Sequence, residues 1–116
     1  MSVIMYGIPN CDTIKKAKKW LLENDIEFQF HDYRKQGIDT DLVNEFCHLL
    51  GWEQVLNKRG TTYRQLTDEQ KQTLNEQTLI PLLVEHPAMI KRPIIRIGEL
   101  LHIGFKAEQY NDIFHI

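Results

Sequence analysis

The chain has 116 residues, enough for one domain around one hydrophobic core with no need of a disulfide or metal to hold it. Two cysteines, 42% hydrophobic and 26% charged residues are ordinary globular composition, and a net charge of −2 gives no general reason to expect nucleic acid or an anionic membrane as partner. No run approaches membrane-spanning length, and the N-terminus carries neither a basic region nor a long apolar segment, so a cytoplasmic, reducing compartment is expected, which suits free thiols.

Val3, Ile4, Met5 and Tyr6 form an apolar run of strand length, and Gly7 and Pro9 supply a turn after it. Asn10 is a favourable N-cap for the charged helix that follows, which places Cys11 among the free N–H groups of a first turn. A thiolate there gains from the unpaired N–H groups and the helix dipole, and Lys15 one turn on adds a cation. Asp12 opposes ionisation, but a carboxylate can turn to water and the backbone donors cannot. The plainer reading of Cys11 is a small buried apolar residue. Its strand-turn-helix setting favours the reactive one. Within the helix, Ile14, Ala17, Trp20 and Leu21 fall on one side and Lys15, Lys16, Lys18 and Lys19 cover the rest, a pattern that reads as one face on a sheet and one in solvent.

Glu27 to Tyr33 alternates as a second strand. After Gly37 the period becomes helical: Asp39 or Thr40 caps a helix whose broad apolar face carries Leu42, Val43, Phe46, Cys47, Leu49 and Leu50 and which ends at Gly51. Cys47 reads as core packing, with a role as resolving partner for Cys11 the weaker alternative. Trp52, Val55 and Leu56 form a turn-like anchor, and residues 57–62 a polar loop rich in donors. Thr67 with Gln70 makes a capping box for a further helix, and 77–85 is another, with Pro81 in its first turn and His86-Pro87 ending it. Ile94 to Ile97, the Gly98-Glu99 turn and Leu100 to Ile103 read as a hairpin, and 106–114 as a closing helix. This order predicts an α/β fold: two parallel strands, an antiparallel hairpin, and a run of helices between strands two and three. With no repeat, low-complexity tract or linker, residues 1–116 are expected to form a single domain.

Several chemistries are disfavoured by particular residues. A dithiol motif needs a second cysteine where Ile14 stands, so redox chemistry at Cys11 must borrow its second thiol. A phosphatase loop needs an arginine where Ala17 stands, and Gly7 has no glycine partner for a phosphate-binding loop. The five histidines show no metal-ligand spacing, so no metal is expected, and Asp39 and Asp41 read as capping groups.

Three segments taken together, Pro9-Asn10-Cys11-Asp12-Thr13, Val55-Leu56-Asn57-Lys58-Arg59-Gly60 and Arg92-Pro93 before a hairpin, resemble the arsenate reductase (ArsC) family in its branch of small Spx/YffB-type proteins. The resemblance spans essentially the whole chain. It implies a thioredoxin-like mixed four-stranded sheet with a helical insertion between strands 2 and 3. It aligns Cys11 with the family's nucleophilic thiolate, Arg92 with an arginine that stabilises thiolate and substrate, and Pro93 with the cis-proline of thioredoxin-like folds. Asn10, Lys15, Asn57 and Arg59 are the further substrate-binding candidates. Arsenate reductases carry a histidine where this chain has Gly7, an arginine where it has Asn57, and a third arginine after the hairpin, where Lys106 is the nearest cation. The expected activity is therefore that of a thiol reductase linked to glutathione or glutaredoxin, with weak or no reduction of arsenate. The expectation from another class is a non-enzymatic, Spx-like regulator that binds RNA polymerase.

Overall fold

A computed structural model describes residues 2–115, and the chain divides into two compact units. The first is built from the segments before Gly37 and after Lys91; the second is the intervening stretch, Gly37–Lys91.

The first unit holds a four-stranded sheet in the order β2-β1-β3-β4, from β1 (Val3–Gly7), β2 (Gln29–Asp32), β3 (Ile94–Ile97) and β4 (Leu100–Ile103). β1 runs parallel to β2 and antiparallel to β3, and β3 turns back as β4 through Gly98-Glu99. Gly98 supplies the positive φ, +59°, that this tight turn requires. The mixed sheet and its helices are those of the thioredoxin-like fold, as expected. Strand alternation sends Val3, Met5, Ile95 and Ile97 into one core with Ile14, Ala17 and Leu21 of α1 (Asp12–Glu23) and Tyr110 of α8 (Ala107–Phe114). Tyr110 sits among rings: Phe105 at 4.7 Å, Trp20 at 5.3 Å, His102 at 5.9 Å and Phe114 at 6.0 Å between centroids. The lysines of α1 are exposed except Lys18, whose ammonium lies 3.7 Å from the centre of the Phe30 ring.

Two readings of this unit are corrected. The residue that caps α1 is Cys11, in extended conformation (φ −141°, ψ 127°), and Asn10 lies outside the helix, because the Cys11 N–H bonds back to the Pro9 carbonyl at 3.0 Å. Tyr33 is not the end of a strand but opens the short α2 (Tyr33–Gln36). The turn arises from local side-chain bonds: the Asp32 carboxylate accepts from the Arg34 N–H, and the Gln36 side chain accepts from the Asp32 N–H, both at 2.9 Å.

In the second unit, Asp39 caps α3 (Thr40–Leu50) by accepting from the Leu42 N–H at 2.8 Å, and Gly51 ends it at φ 89°. α4 (Trp52–Val55) and α7 (Glu76–Glu85) pack on α3. Between them lie α5 (Thr61–Arg64), which takes Thr61 and Thr62 out of the predicted loop, and α6 (Asp68–Gln72) behind its Thr67/Gln70 capping box. A second box, Asn75 with Thr78, starts α7 one residue early and leaves Pro81 as its sixth residue, beyond the first turn. The predicted apolar face of α3 is narrower than its composition suggests: Val43, Phe46 and Cys47 are buried, whereas Leu49 is 54% exposed. A turn at Pro87–Met89 leads to an isolated bridge between Leu56 and Ile90. It is flanked by the Asn57 N–H on the Met89 carbonyl (2.8 Å) and the Lys91 N–H on the Val55 carbonyl (2.7 Å). No described helix is long and apolar enough to cross a membrane.

Candidate active site

The sheet register gathers three chain segments at one edge of the first unit. β1 and β2 are parallel and end together at Gly7 and Asp32, while β3 runs the other way and begins just after Arg92 and Pro93. The turn carrying Cys11 follows β1 at that edge, Tyr33 follows β2, and Arg92 enters it from β3. Gly7 shows how closely these pack: a Cβ there would collide with the Ile14 side chain and lie 3.8 Å from the Arg92 Cβ. The family's histidine would not fit this position without moving Ile14. Arg92–Pro93 is a cis peptide bond, as the resemblance implied, and Pro93 is buried.

Cys11 is half-buried against the core. Its side chain stands where a serine or aspartate oxygen would cap the helix and face the N–H groups of the second and third helical residues. Burial alone would push the thiol up. The Ile14 N–H, a hydrogen bond and charge from Arg92, and the Thr13 N–H outweigh it and hold the Cys11 pKa below its ordinary value. The cation acting on the sulfur is therefore Arg92. Lys15 is exposed, its backbone N–H making the first helical bond to the Cys11 carbonyl, and Asn10 is exposed in the turn.

Asn57 and Arg59 belong to the second unit. The Asn57 side chain accepts from the Arg59 N–H at 3.1 Å, and with Lys58, Lys91 and Glu53 both line a cleft of about 370 Å³. Cys47, in α3 of that unit, has its thiol pushed up to about 11, by burial first and by the Glu76 charge second. Among the described residues no three His, Cys, Asp or Glu side chains are placed to hold a metal ion.

Replacing Arg92 by glutamine should raise the Cys11 pKa, since burial remains while both contributions from the guanidinium disappear and only the Ile14 and Thr13 amides are left to oppose it. Alkylation at pH 7 should slow about tenfold for each unit of that rise. A pH-rate profile with iodoacetamide measures it, and an unchanged profile would remove Arg92 from the sulfur.

The site is thus a half-buried thiol held towards its anion by a helix N-terminus and an arginine, on a thioredoxin-like sheet. The sequence profile of the ArsC family matches residues 6–113, running through both units, and the chain belongs to that family. It is 42% identical over 112 residues to an uncharacterised protein of Haemophilus influenzae, covering 97% of this chain and 98% of the relative. It is 29% identical over 110 residues to the global transcriptional regulator Spx of Lactiplantibacillus plantarum, covering 92% of this chain and 82% of that one. Among solved structures, the protein YFFB superposes with a TM-score of 0.92 at 42% identity, over 96% of this chain and 97% of its own.

The features of the site that sequence reading did not supply are the close approach of Gly7 to Ile14 and the N-cap position of Cys11 itself. Only the first had a signal, a glycine closing an apolar strand before the thiol turn.

Proposed function

We propose that the protein is a cytoplasmic thiol reductase, one domain of the ArsC type, that uses Cys11 as its nucleophile and glutathione or glutaredoxin as its electron source. The observation that carries this is the set of groups on the Cys11 sulfur, the Ile14 and Thr13 amides and the Arg92 guanidinium, which favour a thiolate. In the first half-reaction the thiolate attacks one sulfur of a disulfide. The old S–S bond breaks, a thiolate leaves, and a mixed disulfide with Cys11 remains. A second thiolate then attacks that mixed disulfide and releases Cys11, so two electrons pass from two thiols to the substrate. No second cysteine exists in the unit that holds Cys11, and Cys47 is buried with a raised pKa, so the second thiol is external.

Arg92 acts on thiolate and substrate anion, while Asn57, Arg59, Lys15, Asn10 and Pro93 are the further contacts proposed for substrate. Arsenate is a poor substrate in this reading. Several charge-assisted donors must offset repulsion between an oxyanion and a thiolate, and Asn57 is a neutral amide where the family has an arginine. The test is exposure to oxidised glutathione followed by intact mass: one glutathionyl adduct, absent in Cys11→Ser and removed by reduced glutathione with glutaredoxin, is the expected result. No adduct would end the reading.

The kinship with Spx favours a second reading, a non-enzymatic regulator binding RNA polymerase. Retention of the protein on immobilised polymerase without thiol turnover would select it.

A further inference from the structure

Positive charge in this chain is concentrated on one helix. α1 carries Lys15, Lys16, Lys18 and Lys19 against Asp12 and Glu23, while the chain as a whole stands at −2, so the remainder is net acidic. Lys18 is taken up by the Phe30 ring. Lys15, Lys16 and Lys19 are exposed; among the described residues the first two enter no ion pair, and Lys19 has one loose contact with Glu23, at 3.8 Å with both side chains in solvent. Lys16, Lys19 and Glu23 meet Trp20 and Phe105 around a cleft of about 270 Å³. Both rings are half-buried and held by other rings, Trp20 by Tyr110 and Phe114, Phe105 by Tyr110, so two fixed aromatic walls stand beside two free cations. Cys11, Lys15 and Lys19 are spaced four residues apart, a single row along the helix that leads from the thiol to the cleft. Trp20 lies about 14 Å along the axis from Cys11, the reach of roughly four extended residues.

We propose that this face of α1 is a docking surface for a protein partner of the thiol. A segment of that partner seats an aromatic side chain between Trp20 and Phe105, sets carboxylates against Lys16 and Lys19, and brings its own sulfur along the row of Lys19 and Lys15 to Cys11. Charge complementarity selects an acidic partner, and the two aromatic walls select a ring, since ring pairs gain beyond the area they bury. The proposal rests on the thiol-reductase reading for the partner's chemistry, that of a protein thiol or disulfide; the surface itself stands apart from that reading. It also separates two electron sources. A tripeptide thiol of the glutathione kind has one residue on each side of its sulfur and cannot span from Cys11 to the cleft, so only a protein partner uses this face.

The test uses the peptide Cys-Gly-Glu-Glu-Phe-Glu, blocked at both ends, with its sulfur joined to nitrothiobenzoate. The Cys11 thiolate attacks the peptide sulfur, the old S–S bond breaks, nitrothiobenzoate leaves as a coloured thiolate, and a disulfide between peptide and Cys11 forms. Taken relative to its rate with the neutral thiol mercaptoethanol, this peptide should react at least about tenfold faster at low salt than Cys-Gly-Lys-Lys-Phe-Lys. In the double variant Lys16→Glu with Lys19→Glu that preference should disappear, while neutral iodoacetamide, which reads Cys11 alone, changes by less than about threefold. Alanine in place of the peptide's phenylalanine should cost about fivefold. Equal rates for the acidic and basic peptides, a preference that survives in the double variant, or indifference to the phenylalanine each overturn the proposal; the last two place the attraction at the thiol itself. A second readout needs no thiol chemistry. With its cysteine capped by iodoacetamide, the acidic peptide should displace the indole N–H resonance of Trp20 and leave that of Trp52 in place. No displacement at millimolar peptide overturns the docking surface, and displacement by phosphatidylglycerol vesicles in its stead would make the face a lipid surface and overturn it too. A chain that shows the peptide displacement, yet forms no adduct with oxidised glutathione, rejects the reductase reading and leaves the docking surface standing.

Discussion

Iodoacetamide at pH 7.5 should label the native chain once, at Cys11, and leave Cys47 unmodified over the same period. The two thiols are separated by electrostatics as much as by exposure. Cys11 is held below the ordinary thiol value by the Ile14 amide, Arg92 and the Thr13 amide acting against burial, whereas Cys47 is pushed up to about 11. Because the thiolate is the reacting species, this separation alone makes the Cys47 population at least about a hundredfold smaller. Its burial in α3, at 2% exposure, slows it further. In denaturant both cysteines should react alike, which supplies the control. Cys11→Ser should abolish native labelling without lowering the melting temperature, since serine is a preferred residue at the capping position that Cys11 occupies. Peptide mapping after timed labelling reads both outcomes, and Cys47 labelled at a comparable rate would refute the assignment.

The largest effect on stability is expected at Tyr110. Its side chain is fully buried in the core shared by the sheet, α1 and α8, with four aromatic rings around it. Truncation to alanine removes that area and leaves a cavity that four rings, three of them fixed on α1, β4 and α8, cannot close, a loss of about 3–5 kcal/mol. Against a total of roughly 5–15 kcal/mol this is enough to leave a substantial unfolded fraction at moderate temperature. Tyr110→Phe should stay within about 1 kcal/mol of the wild type or exceed it, because the hydroxyl it deletes is buried and unpartnered. Urea titration of the three proteins gives the comparison; an alanine variant within about 1 kcal/mol of the wild type would mean that Tyr110 does not hold the layer together.

What could be read from the sequence follows from how local each determinant is. The hairpin was legible residue for residue, because alternation from Ile94 and a Gly-Glu turn leave one register for β3 and β4. The face of α1 was legible because Ile14, Ala17 and Leu21 recur at helical spacing. Cys11 and the first-turn N–H groups that act on its sulfur could be picked out, and Arg92 with them through the family resemblance, but Lys15, expected to add the cation, stands exposed. Asparagine outranks cysteine as a cap, and only the backbone bond from Cys11 to Pro9 leaves Asn10 outside. Tyr33 was hidden by the alternation before it, which a pair of side-chain bonds from Asp32 and Gln36 cuts short. The exposure of Leu49 was hidden for a different reason: a helical period shows which residues share a face, not how much of that face another element covers.

The contact between Gly7 and Ile14 ties two positions into a single choice. One is where the family's reductases place a histidine, and the other is where a dithiol protein places its second cysteine. Here the isoleucine fills the space that the glycine leaves. A bulkier residue at 7 alone meets the side chain at 14, and a cysteine at 14 alone opens a gap beneath the strand, so each single step loses packing before it gains chemistry. Passage from this pair of residues to either of those arrangements therefore runs through a valley unless both positions change together. Pairs of substitutions at 7 and 14 should be non-additive, and their coupling is a direct readout of how firmly the packing binds the two positions to each other.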